Sequence, residues 1–314
     1  MNELKVKTNN RKVCVVIVSY NFEPWIDVCL SSVFSSTIPS TVVVVDNNSK
    51  DKTTKIIETK YPQVVLFKNS ENLGFGKANN VGFRYALDKG FEYVFLLNQD
   101  AWIANDMLEK LIIAAEQNPD FGIISPVHLS TDGTSLDHGF ANYSGKKTIE
   151  QLPQPSNQLV KLFFVNAAFW LLPIETVKRI GGFSPLFYHY GEDRNYIQRA
   201  HFHNYKIGYL PSAFATHDRQ NRKVTKKEFL HAEYVYFLSE LANINYSFPK
   251  AIAYSVLAAK KKMFIEGFGG RFSNSRAYLK MTFRLAGKIP AANETRKKTK
   301  VVGVHYLATQ TTKQ

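Results

Sequence analysis

Four acidic residues and one histidine fall where chemistry is possible. Asp46 opens the cluster Asp46-Asn47-Asn48-Ser49 after an apolar run, and Asp100 closes Asn98-Gln99-Asp100 after another. Glu192 and Asp193 stand side by side after His189-Tyr190-Gly191, and His217 follows the apolar stretch Ile207 to Ala215. Group transfer out of a nucleotide diphosphate asks for a grip on the nucleoside, neutralisation of the departing diphosphate and a base for the incoming hydroxyl. Asp46 can accept hydrogen bonds from a nucleoside, and Asp100 can ligate Mg2+ or Mn2+, hard cations that prefer oxygen. Glu192-Asp193 opens a predicted helix, where the dipole favours ionised carboxylates unless burial opposes it. Each also has a plainer reading: Asp46 as an Asx turn or cap, Asp100 as a cap, the acidic pair as an ordinary first helical turn, and His217 as a core histidine.

The elements that must position them alternate. Val13 to Val18 reads as a strand buried on both faces, ending in Ser19-Tyr20-Asn21. A helix over Glu23–Ser36 follows, then a strand over Thr41–Val45, a helix over Lys52–Lys60, a strand over Gln63–Lys68 and a helix over Gly76–Lys89. Tyr93 to Leu97 forms another buried strand, Asp106–Gln117 a helix and Gly122–Pro126 one more strand. Residues 130–158, rich in Thr, Ser, Gly, Asn, Gln and Pro, read as a long excursion with little core of its own, followed by one strand over Lys161–Leu172 and a helix starting near Ile174. The second acidic site opens a helix running to about His203. This alternation predicts an α/β fold with a mostly parallel, Rossmann-like sheet flanked by helices, its strand-end clusters SYN, DNNS and NQD lying along one edge where a nucleotide can cross.

Charge divides the chain. Residues 1–217 carry 21 Lys/Arg against 20 Asp/Glu, whereas residues 218–314 carry 19 against 6. The expected division is therefore a catalytic domain over 1–217 and a basic, mainly helical region over 218–314, the latter meeting something anionic. The polar, basic N-terminus and the short β-branched run after it resemble neither a signal peptide nor a spanning helix, so a cytoplasmic location is expected. Cys14 and Cys29 lack metal-ligand spacing and read as buried thiols.

The motifs VVIVSYN, VVVVDNNSKD, NLGFGKANNVG, VFLLNQDA, GGFSPLFYHYGEDRNYIQR and ATHD, in that order over residues 12–217, resemble the GT-A fold glycosyltransferases of family 2, in particular the bacterial rhamnosyltransferase-like and galactofuranosyltransferase-like members. The resemblance implies that Asp46 binds the base, that Tyr20 contacts the nucleoside, and that Asn72, Lys77, Asn80 and Asn98 belong to the nucleotide-sugar site. It implies Mg2+ or Mn2+ on Asp100, the surviving carboxylate of an Asp-x-Asp motif that reads Asn98-Gln99-Asp100 here, with His217 completing the metal and diphosphate site. Asp193, beside Glu192, becomes the base, and the product anomer is inverted. Two departures stand out: Glu192-Asp193-Arg194-Asn195 replaces a common Glu-Asp-x-Asp, and Ala167-Ala168 replaces a Gly-Ala pair.

The expected activity is transfer of a sugar from a dTDP- or UDP-sugar to a glycan or lipid-linked acceptor in O-antigen or capsule assembly, with no nucleic acid partner. The basic C-terminal region, with Phe264, Phe268, Phe272, Tyr278 and Phe283 among its lysines, is expected to hold the enzyme peripherally on an anionic inner membrane face. A nucleotidyltransferase acting on sugar phosphates is the alternative, since it too places strand-end aspartates and a metal around a nucleotide. A dinucleotide-dependent oxidoreductase fails on context, because the turn after the first strand, Ser19-Tyr20-Asn21-Phe22, lacks the required glycines.

Overall fold

A computed structural model describes residues 11–153, 158–218 and 225–307. Strand β1 (Val13–Ser19) pairs in parallel with β2 (Ser40–Asp46) on one side and β4 (Tyr93–Asn98) on the other, and β2 pairs in parallel with β3 (Val65–Lys68). Successive side chains of these strands enter different cores, as a two-residue repeat requires. Val13, Val15 and Ile17 face one side with Ile26, Leu30 and Val33 of helix α1 (Ile26–Phe34); Cys14 and Val16 face the other with Ala78, Phe83 and Ala86 of a later helix (Phe75–Asp88). The two thiols therefore lie on opposite sides of the sheet and stay unpaired, and burial pushes Cys14 up to about 12. Gly82 lets the helix Phe75–Asp88 lie close: a Cβ there would sit 2.3 Å from Val16 Cγ1.

Among the described residues the sheet has nine strands, in the order β3-β2-β1-β4-β8-β6-β9-β5, with β7 also on β9. Here β5 is Ala101–Ile103, β6 Phe121–Leu129, β7 Val160–Leu162, β8 Phe169–Pro173 and β9 Lys206–His217. Strand β8 runs antiparallel between β4 and β6, and β6 and β9 are parallel, so most strands share one direction while β5, β7 and β8 oppose it. The stretch expected as one strand over Lys161–Leu172 is two: β7 joins the β9 edge, β8 enters the centre of the sheet, and residues 163–168 cross between them. The excursion after β6 also has more structure than expected. It contains a helix, His138–Ser144, capped by Asp137 and stopped at Gly145 with φ +67°, and it contributes buried Leu136, Phe140 and Leu152 to the core.

Helices after β9 build a third core, in which Tyr234, Phe237, Leu238 and Leu241 of the helix Lys226–Ala242 meet Ala259, Tyr278, Met281 and Leu285. The last described residues then return to the sheet: Gly182 N donates to His305 O at 2.8 Å, and Leu307 is buried in the second core. No helix of the described residues is long and apolar enough to cross a membrane.

Arg199, fully buried, fastens this return. Its two terminal nitrogens donate to Ile180 O (3.0 Å) and Gly182 O (2.7 Å), and its guanidinium lies 4.9 Å from the Tyr196 ring. Arg199→Ala leaves two buried carbonyls unpaired and opens a cavity, so a loss of about 3 kcal/mol or more is expected. Thermal denaturation should show Tm falling by roughly 5–10 °C, and Arg199→Lys should rescue little of it, since an ammonium cannot reproduce the fork.

Candidate active site

The parallel register aligns the strand ends: Ser19 is opposite Asp46, and Val18 is opposite Asn98. Their polar clusters share one edge, as the sequence pattern implies, and there the chain opens a cleft of about 910 Å³. Six of the ten residues singled out from sequence line it: Tyr20, Asn98, Asp100, Glu192, Asp193 and His217. Tyr20 is held by a reciprocal pair across the β1 and β4 ends, its N donating to Gln99 Oε1 (2.8 Å) and its O accepting from Gln99 Nε2 (3.2 Å).

Asp46, Asn72, Lys77 and Asn80 lie elsewhere. Asp46 is buried beneath the turn it organises, accepting from Ser19 Oγ (3.0 Å), Ser49 N (3.0 Å) and Ser49 Oγ. Asn72 caps the approach to Gly74, whose N donates to Asn72 Oδ1 at 2.9 Å, while Asn72 O accepts from Tyr188 OH at 3.1 Å. Gly74, at φ +78°, admits this contact because a Cβ would lie 2.1 Å from Tyr188 O. Lys77 and Asn80 line a separate hollow of about 530 Å³, and the Asn80 amide is engaged with the backbone of Phe183 on both its atoms (2.9 and 2.7 Å).

Asp100 and His217 meet through strand pairing. Ala101 of β5 is opposite His217 of β9, and Asp218 N donates to Asp100 O at 2.8 Å. His217 Nε2 then lies 3.2 Å from Asp100 Oδ1 and 3.3 Å from Asn98 Nδ2, while its buried Nδ1 has no partner. Neighbouring ligands on an octahedral cation with bonds of about 2.1 Å are about 3 Å apart, so this carboxylate and imidazole fit two positions of one ion. Among the described residues no group of three or more His, Cys, Asp or Glu gathers to cage a metal. The described lining holds the carboxylates Asp100, Glu192, Asp193 and Asp218 but no Lys or Arg.

On another wall, Gly191 at φ +83° turns the chain into the helix Glu192–Phe202; a Cβ there would meet Val235 Cγ1 at 2.4 Å. Glu192 is 5 % exposed, and burial, reinforced by the neighbouring Asp193 charge, raises its pKa to about 7. Its Oε2 has no partner, and neither does either side-chain atom of buried Asn195 one turn on. Asp193 is half-buried and accepts from Arg194 N at 2.6 Å.

The structure adds lining residues that sequence reasoning passed over. Trp25 Nε1 donates to Asp218 Oδ2 at 2.9 Å, fixing the residue next to His217. Asn166, on the crossing between β7 and β8, is buried with Oδ1 unpartnered. The His189 and Tyr190 rings lie 4.0 Å apart, tilted by 46°, on the rim, and burial followed by the nearby His231 holds His189 below its usual range. For Asp218, His189 and Tyr190 the signal was present, as they sit inside the ATHD and HYGED strings; Trp25 and Asn166 carry no such mark.

Glu192 yields a pH dependence. Between its ordinary 4.5 and about 7 the folded chain holds a proton there that the unfolded chain has released, so stability falls as pH rises through that window. The full penalty, on the order of 3 kcal/mol, is present by pH 8. Glu192→Gln should match the wild type in Tm at pH 5 and exceed it by several degrees at pH 8; melts between these values check the sign.

Among known proteins, the model of the glycosyl transferase family 2 matches residues 14–173, just over half of the chain. No curated protein sequence matches. Solved structures do: S. aureus TarS (residues 1–349) in complex with UDP, at 16% identity and a TM-score of 0.53, covering 92% of this chain and 88% of that one. The same protein with UDP-GlcNAc gives 15% identity and 0.55 over the same shares. GalNAc-T7 with UDP, GalNAc and Mn2+ gives 14% and 0.58, covering 96% of this chain and 56% of that one. At these identities the structural likeness speaks for the GT-A fold, while the family model speaks for descent: the chain belongs to the family 2 glycosyltransferases.

Proposed function

We propose that this glycosyltransferase takes the sugar from a UDP- or dTDP-sugar, rhamnose among the candidates, and delivers it with inversion to an acceptor hydroxyl in surface glycan assembly such as O-antigen or capsule. The observation that carries the reading is one cleft lined by both the Asp100–His217 pair and the Glu192–Asp193 pair. The UDP and UDP-GlcNAc bound by TarS support the donor class, and the Mn2+ of GalNAc-T7 supports a divalent cation.

In this reading Asp100 and His217 would hold Mg2+ or Mn2+, which would supply positive charge to offset that on the departing diphosphate. Tyr20 and Asn98 border the nucleotide-sugar, and Asp46 and Asn72 shape the loops around it from behind. Asp193 accepts the proton of the acceptor hydroxyl as its oxygen attacks the anomeric carbon and the bond to the diphosphate breaks. Glu192 keeps its own proton below about pH 7, which limits the charge repulsion beside the base. Residues 1–217 carry out this chemistry; residues 218–314 bring the enzyme to an anionic surface, placing it peripherally on the cytoplasmic membrane face.

A thermal-shift screen against UDP, dTDP, GDP and CDP, each with and without Mn2+, tests the donor site, since selective binding raises apparent stability. One nucleoside diphosphate should stabilise the protein in a manganese-dependent manner, and Asp100→Ala or His217→Ala should abolish it. Asp193→Asn should keep that stabilisation yet lose transfer by about 100-fold or more. Normal transfer by Asp193→Asn removes the base assignment; release of pyrophosphate instead of nucleoside diphosphate replaces the reading with nucleotidyl transfer.

A further inference from the structure

Two helices at the C-terminal end, Ala258–Phe268 and Phe272–Thr299, form an antiparallel hairpin closed by Gly269, Gly270 and Arg271, with Gly270 at φ +72°. Their inner faces supply Ala259, Tyr278, Met281 and Leu285 to the third core. The outer faces are apolar as well. Leu257, Phe264 and Phe268 recur at helical spacing before the turn, and Phe272, Leu279 and Phe283 after it; Phe268 is 91 % exposed, Phe283 70 % and Phe272 69 %. Each stripe contains an exposed basic residue, Lys261 in the first and Arg276 in the second, with Lys260 and Lys280 beside them. Among the described residues none of these four cations has an ion-pair partner, unlike Lys262, which pairs with Glu233, and Arg271, which pairs with Glu266.

We propose that this hairpin is a docking edge for an anionic lipid bilayer. The inference rests on the reading of residues 218–314 as membrane-seeking and assigns the contact to this hairpin, with lipid and not a polyanionic acceptor as its occupant. A polyanion would satisfy the cations but leave the phenylalanines in water. A bilayer accepts both, taking the rings into the acyl boundary and the cations among its headgroups. The edge is a pair of ridges at a hairpin end, suited to a deformable plane more than to a shaped pocket. With no spanning helix among the described residues, attachment of this kind is peripheral.

The hairpin also lies close to the cleft. Lys226 Nζ donates to Ser273 Oγ at 3.2 Å, beside Phe272 at the tip. Five residues along the same helix, about 8 Å, His231 Nε2 is 3.4 Å from the carbonyl of His189 on the cleft rim. Docking at the tip therefore brings the cleft to the headgroup region, where a lipid-linked acceptor would present its hydroxyl.

The test uses the full chain and sedimentation with vesicles of phosphatidylcholine alone or with about 30% phosphatidylglycerol. Binding should be at least tenfold stronger to the anionic vesicles and weaken in high salt. Phe268→Ser with Phe272→Ser and Phe283→Ser should lower it about tenfold or more, and removal of Lys260, Lys261, Arg276 and Lys280 by Gln should lower it further, at about fivefold per residue before screening. As the substituted side chains are exposed, Tm and nucleotide-dependent stabilisation should not move. Phe268→Trp should retain binding, with its emission shifting to the blue on anionic vesicles only. Equal binding to neutral vesicles, wild-type binding by the triple serine variant, no emission shift, or a dimer that the serines dissolve without any vesicle binding would each overturn the proposal. Vesicle binding without nucleoside diphosphate binding would leave the docking edge standing and remove the transferase reading instead.

Discussion

The site depends on one short piece of antiparallel ladder. Three residues of β5, Ala101 to Ile103, pair with Ala215 to His217 at the far end of β9. That pairing carries a histidine across more than a hundred residues of chain to within 3.2 Å of Asp100. The rest of the sheet is arranged to permit it: β8 fills the place beside β4, β6 and β9 extend the sheet outward, and β9 is long enough, at 12 residues, to run from the core to the cleft. With only three residues in β5, Trp25 and Thr131 hold the junction from outside the ladder by donating to the two Asp218 carboxylate oxygens, each at 2.9 Å.

Around that junction the protein tolerates polar atoms its core would normally refuse. His217 Nδ1, Asn166 Oδ1, Glu192 Oε2 and both amide atoms of Asn195 are buried without partners. Unpaired buried groups cost about 1–3 kcal/mol each, so a cluster of them is sustained only where the surrounding fold over-determines the geometry. The aromatic packing behind the wall supplies that rigidity: Phe83, Trp170 and Phe183 each make ring contact with Tyr196 of the helix that bears Glu192 and Asp193, and Phe183 with both of the others. The proton held by Glu192 lowers the cost of its burial without a pairing cation.

How much of this was legible follows from how each element is buried. Strands β1, β2 and β4 are covered on both faces, so their sequences are unbroken apolar runs and their ends are marked by the first polar residues; those boundaries emerge from the sequence within about two residues. Strands β7 and β8 look like one in the sequence because apolar Phe163, Phe164, Val165, Ala167 and Ala168 bridge them, and apolarity alone does not record a change of strand partner. Strand β9, interrupted by Pro211 and by half-buried Ser212 and Phe214, shows neither a continuous run nor clean alternation. Lys77 and Asn80 lie in a motif whose order was right, but a helix turns by 100° per residue, and these positions point to the hollow beside Tyr306 and Leu307 instead of to the cleft. For Asp46 the turn chemistry of Asp46-Asn47-Asn48-Ser49 is what the sequence makes legible: its carboxylate accepts from Ser49 N and Oγ.

The division of charge along the chain acquires a physical sense from the cleft. The first 217 residues are almost balanced, and the described lining of the cleft has carboxylates but no Lys or Arg. A lining of that sign disfavours free anions, and on the proposed reading the cation that accompanies the diphosphate offsets it. A strongly basic catalytic domain would forgo that selectivity and would itself be drawn flat onto any anionic surface. On the proposed reading, concentrating the excess in the last third, on helices whose outer faces carry apolar stripes and whose inner faces close a separate core, puts attachment and chemistry in different electrostatic environments, joined by the Lys226–Ser273 and His231–His189 contacts.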